Sequence, residues 1–198
     1  MPAQPTGSST SALVRRGVRL EIATLAWNVI GVVILAYAAI LARSIALAGF
    51  GLDSLIEIGA STVVLWELAD VESSRQHRAM RLIGIAFVAL SLYLALQSTF
   101  ALTVEFRPHH SDVGIIWTGA TAAVMFALAR AKSMTGSRLA NPVLITEGRV
   151  TLIDAVLAVA VLTGLILNAL AGWWWADPGA GYVILFYAIK EARGSLRH

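Results

Sequence analysis

The chain has no cysteine among its 198 residues. Disulfides, thiolate metal sites and iron–sulfur clusters are thereby excluded. Charge is also scarce. Asp, Glu, Lys and Arg make up 14% of the chain, against about 25% in ordinary soluble domains. No lysine or arginine falls deep within the long apolar runs. A nucleophile triad, a phosphate loop and a cofactor fingerprint are all missing, so an enzyme is not expected. Gly49 and Gly51 lie inside an apolar run and are not a nucleotide loop. No internal repeat or second domain is visible. What remains is apolar: 58% of residues are hydrophobic and the mean hydropathy is +0.74. This composition points to an all-α, polytopic membrane protein.

Six stretches come near the roughly 20 residues that cross a bilayer. They are residues 20–41, 45–68, 82–104, 113–129, 150–171 and 173–189. Polar connections are expected at 70–81, 105–112 and 130–149. Residues 1–14, rich in Ser, Thr, Pro and Gly, read as a flexible tail. The six-helix domain spans 15–193. Residues 194–198 form a short C-terminal tail, with no soluble C-terminal domain expected. The arginines at 15, 16 and 19 before an apolar run resemble a signal peptide, but the run is too long and a second span follows closely.

The isoelectric point of 9.7 does not call for nucleic acid, because the basic residues cluster at span ends. With both termini in the cytoplasm, 13 of the 15 lysines and arginines lie on that side. Only Arg43 and Arg107 lie outside. The excess of positive charge inside favours this orientation. Trp173, Trp174 and Trp175 then fall at the outer mouth of the sixth span, as an interfacial aromatic belt does.

Acidic residues inside the spans carry the chemistry. Asp53 and Glu57 are four apart, so a helix places both on one face, about one turn from each other. Asp154 lies in the fifth span. An ionised carboxylate at mid-bilayer costs about 2.5–3.5 kcal/mol even on the lenient insertion scale. With no basic side chain expected at that depth, the three acids either stay protonated or await a cation. Glu147 and Thr151 share the Asp154 face. Glu147 suits an entrance carboxylate or a residue that complements the helix dipole. Glu21 and Asn28 are seven apart in the first span. Asn28 suits a helix–helix hydrogen bond or a ligand. Asp177, before Pro178, is expected to cap the sixth helix. Two surface groupings, His77 with Asp70 and Glu72, and His109 and His110 with Asp112, have metal-ligand residue types but no evident fixed geometry.

These residues resemble the membrane domain of the cation diffusion facilitator family, the zinc and manganese exporters. The segment Leu52-Asp53-Ser54-Leu55-Ile56-Glu57-Ile58-Gly59-Ala60-Ser61 is similar to that family's second span, where two acids four apart bind metal. The run from Asp154 resembles its fifth span, and Trp173-Trp174-Trp175-Ala176-Asp177-Pro178 the start of its sixth. The likeness extends over roughly residues 15–193, and a shorter branch of the family shares the lack of a large soluble domain. Two departures stand out. Val150 occupies a position where the family usually has a fourth ligand, leaving Asn28, Glu147, Thr151 or water to substitute. Only a few residues follow Arg193, so the family's usual cytoplasmic metal-binding domain is not expected here.

The resemblance implies a divalent metal efflux transporter. Asp53, Glu57 and Asp154 would bind the ion, and proton antiport would follow from protons competing at the same oxygens. Oxygen ligands suit zinc, manganese, iron or cobalt as the transported ion, with zinc or manganese favoured and no other cofactor implied. The partners expected are metal ions, protons, membrane lipids and a second copy of the chain, joined through the transmembrane helices. The expected location is a bacterial inner membrane. Two alternatives stay open: a metal-binding membrane subunit that does not transport, and a proton or small-ion channel.

Overall fold

The computed structural model describes residues 7–68 and 73–195. Six helices follow one another: α1 (Gly7–Ala42), α2 (Ile45–Leu68), α3 (Ser73–Thr103), α4 (Asp112–Leu139), α5 (Pro142–Ala171) and α6 (Ala176–Ser195). Among the described residues no strand occurs. Three stretches there combine the length and apolarity of a membrane span: Ser11–Ala42, Asp112–Leu139 and Glu147–Ala171. The chain is an all-α polytopic membrane protein. In lipid, helices satisfy every backbone polar group internally, so long apolar sequence has few other choices.

Short, chemically marked breaks separate the helices. Arg43 turns into the left-handed region (φ 51°) and ends α1. Ser44 then caps α2, its Oγ accepting from Leu47 N–H at 3.1 Å. Ser111 caps α4 in the same way, through Gly114 N–H at 3.0 Å. Gly172 (φ 66°) ends α5, where glycine carries no side-chain penalty.

Two expected connections prove to be largely helix: α3 already begins at Ser73, inside the connection expected at 70–81. α4 runs ten residues past the expected end at 129, to Leu139. The break before α5 is only Ala140, left-handed at φ 50°, and Asn141, whose Oδ1 accepts from Leu144 N–H at 3.0 Å. Pro142 follows at the first helical position, where its missing N–H costs nothing. The polar residues from 130 to 149 therefore lie on two helices and the cap between them, and Lys132, Thr135 and Glu147 are buried. At the other end, α1 opens at Gly7, so residues 7–14 are helical. Asp70 and Glu72 lie outside the described residues, and so does their grouping with His77.

The helices close into a ring in the order α1, α2, α3, α6, α5, α4, with α2 also touching α5 across the middle. α4 and α5 approach closely. A Cβ placed on Gly148 would lie 2.9 Å from Ser133 N. Such small-residue contacts let helices associate where lipid supplies no hydrophobic drive. The same holds at Gly49 of α2, whose added Cβ would meet Leu94 of α3. An apolar core of Leu35, Leu47, Phe50, Leu94, Val161 and Ile184 fills one end of the ring. Outside, Val33, Ile40, Leu92, Leu96 and Phe186 are exposed, as lipid-facing residues are. The polar side chains turn inward: Glu21, Asn28, Asp53, Glu57, Lys132, Glu147, Thr151 and Asp154 are all buried.

Candidate metal centre

The interior polar residues form two layers. The first lies near the middle of the bundle. Glu57 of α2 and Asp154 of α5 adjoin each other there, with Asp53 one turn further along α2. All three are at most 5% exposed. Asn28 of α1 donates from Nδ2 to Glu57 Oε2 at 2.9 Å. That bond fixes one oxygen of Glu57 and leaves the other, Oε1, buried without a hydrogen-bond partner. Both carboxylate oxygens of Asp154 are likewise buried and meet no donor, only the facing carboxyl of Glu57. Buried polar atoms nearly always find partners, so three orphan oxygens on adjoining carboxyls mark a place where a proton or a cation belongs.

Asp53 looks elsewhere as well. Its charged neighbours are Glu57, Asp154 and, from α6, Glu191. Among the described residues no three acidic or imidazole groups are arranged to hold one ion between them. Glu57 and Asp154 form a pair, and Asp53 stands beside it.

The second layer lies one to two helical turns along the axis, from Thr151, three residues before Asp154, to Glu147, seven before it. Here the structure corrects the expectation that no basic group reaches the interior. Lys132 of α4 is fully buried. Its Nζ donates to Glu21 Oε2 at 3.0 Å, Thr151 Oγ1 at 3.1 Å and Glu147 Oε1 at 3.3 Å. All three ammonium hydrogens are thus matched by acceptors. Ser61 Oγ of α2 approaches the same Glu147 oxygen at 3.5 Å. Lys132 reaches the interior because α4 continues as helix where a loop was expected. Thr121, Met125, Ala129, Lys132 and Gly136 follow at helical spacing on one buried face.

The candidate residues therefore separate. Asn28 joins Asp53, Glu57 and Asp154. Glu147 and Thr151 do not, because Lys132 engages both. The missing ligand at Val150 has no replacement from Glu147 or Thr151; Asn28 is the neighbour in place.

Asp177 is a second correction. It does not cap its own helix. Its Oδ2 accepts from Ile45 N–H at 2.9 Å and Ala46 N–H at 3.3 Å, and its Oδ1 accepts from Ser44 Oγ. The free N–H groups and positive dipole end of α2 draw the carboxylate across. Asp177 pins the start of α6 to the start of α2. At that same end of the bundle Trp173 stacks on Trp175, with centroids 5.2 Å apart and each ring about half exposed. His110 pairs with exposed Asp112 at the surface.

An all-helical ring with buried, unpartnered carboxyls on two facing helices is the architecture of an ion-handling membrane domain. The chain belongs to the cation efflux family: the profile of the cation efflux transmembrane domain matches residues 22–198. A relative is "Transmembrane protein 163" of Xenopus laevis, 23% identical over 151 residues. That alignment covers 72% of this chain and 54% of the relative, so the chain spans about half the length of the protein it matches.

Proposed function

We propose that the protein moves divalent metal cations across the membrane through the carboxyls of Asp53, Glu57 and Asp154. The observation that carries this is the set of orphan oxygens on Glu57 and Asp154, buried between α2 and α5. A divalent ion between them offsets the charge that burial makes costly. Membership of the cation efflux family supports the same substrate class.

The mechanism follows from shared oxygens. The pair Glu57 and Asp154 receives the ion while Asn28 holds Glu57 in place. Asp53 then turns inward by a small rotation of α2 and completes the shell with water. Protons arriving from the opposite face compete for the same oxygens, since only the deprotonated carboxylate binds metal. Loss of one ion and gain of protons at one site is antiport, driven by rocking of the helices. Oxygen ligands favour zinc or manganese, with iron and cobalt also compatible. The cytoplasmic placement of both termini and the pairing of two chains through their helices belong to the same proposal. The basic residues clustered at one set of helix ends support that orientation.

Zinc uptake into proteoliposomes under an imposed pH gradient tests this reading. The wild type is expected to carry zinc, and Asp53→Ala with Asp154→Ala to abolish the flux. Unchanged flux in that double variant removes the site from the pathway.

A further inference from the structure

The Lys132 layer is not used by the mechanism above, yet it is the most heavily charged part of the interior. We infer that Glu21, Glu147, Ser61 and Thr151 form a second cation station, which the tethered ammonium of Lys132 keeps filled until a divalent metal displaces it. This rests on the transport reading, because the station lies on the side of the carboxyl pair expected to face the cytoplasm.

Three observations carry it. Lys132 Nζ already occupies the position a free cation would take, among oxygens of three side chains at 3.0–3.3 Å. The station is not saturated: Glu21 Oε1 is buried and has no hydrogen-bond partner, and Glu21 itself is 0% exposed. Finally, Ser61 touches Glu147 from α2 and lies four residues, one turn, from Glu57. The same helix face therefore links the station to the mid-bundle pair.

Charge sets the selectivity. Two carboxyls face one ammonium, so with both ionised the station carries a residual negative charge. A divalent ion neutralises both carboxylates where Lys132 neutralises one. A monovalent ion offers no gain in charge over an ammonium that is covalently attached and so present at high effective concentration. Lys132 is thus a built-in competitor that rejects sodium and potassium and yields to zinc. Its flexible four-carbon stem lets the ammonium withdraw and return. The return expels the metal from the station, toward Glu57 and Asp154.

The chain contains only two lysines, Lys132 and the exposed Lys190, which makes the displacement directly readable. The wild-type protein is treated with a small amine-acetylating reagent, and acetylation of each lysine is quantified by mass spectrometry. Saturating zinc is expected to raise acetylation of Lys132 several-fold and to leave Lys190 unmoved, while potassium changes neither. In equilibrium titrations Lys132→Met is expected to bind the station's zinc ion roughly tenfold or more tightly than the wild type, because the tethered competitor is gone. Glu21→Gln on that background is expected to abolish that binding. Acetylation of Lys132 that does not respond to zinc, in a wild type that binds zinc at the carboxyl pair, overturns the inference. A folded Lys132→Met protein with no zinc site bound more tightly than in the wild type overturns it equally. The two proposals fail separately. Absence of zinc flux in the wild type, with the tightened zinc site still appearing in Lys132→Met, overturns transport and leaves the station standing.

Discussion

Asn28 and Thr151 are buried polar side chains of similar size that serve different layers, and their substitution should separate the two. Asn28 donates to Glu57, a carboxylate of the mid-bundle pair. A hydrogen bond to a charged group contributes about 1.5–3 kcal/mol. Asn28→Ala is expected to weaken zinc binding by roughly ten- to a hundredfold, read by titration of the purified protein. Thr151 accepts from Lys132 Nζ at 3.1 Å. Thr151→Val is expected to cost about 1 kcal/mol of stability and to leave zinc affinity at the carboxyl pair nearly unchanged. Equal losses of affinity in the two variants would contradict the separation of layers. The spacing of Asp53 and Glu57 made the first layer legible in the sequence, because acids in an apolar run cannot be ordinary surface. Lys132 was not legible in the same way. It follows the apolar run that ends near 129 and stands beside Arg130, so it reads as one more basic residue at a span end. The signal available was its phase: Lys132 falls on the face of Thr121, Met125 and Ala129, and Arg130 does not.

At the scale of helices, the structure depends on two joints. The first is the α4–α5 hairpin, held by backbone approach at Gly148. Gly148→Val would drive a branched side chain into Ser133, and overpacking of this kind costs about 1–3 kcal/mol. Lower thermal stability is expected, together with looser seating of Lys132, since Glu147 is the adjacent residue. The second joint is Asp177 across to α2. Asp177→Ala removes the acceptor for two backbone N–H groups and a serine hydroxyl. The expected cost is about 1–3 kcal/mol, seen as a lower midpoint of unfolding in detergent. A wild-type midpoint in Asp177→Ala would show that the α2 start is capped by other means. Helix existence was readable from apolar length alone. Helix ends were not, because a polar helical extension such as 130–139 and a loop have similar compositions, and only the Asn141-Pro142 cap marks the true break.

For the whole molecule, the ring of six helices turns a lipid-like exterior outward and gathers five buried carboxyls, Glu21, Asp53, Glu57, Glu147 and Asp154, around one buried ammonium. Such an interior must take up positive charge, as protons or as metal. Zinc binding is therefore expected to release protons and to weaken as pH falls, because both ions use the same oxygens. Calorimetric titrations in two buffers of different ionisation enthalpy measure that release. Heats that are identical after correction for buffer would contradict it. The central claim is that Glu57 and Asp154, joined by Asp53, hold the ion. Anomalous diffraction from crystals soaked in zinc or manganese tests it most directly. The expected result is a peak between the Glu57 and Asp154 carboxyls that disappears in Asp154→Asn crystals. A peak confined to the surface pair His110 and Asp112, with none between α2 and α5, would contradict it.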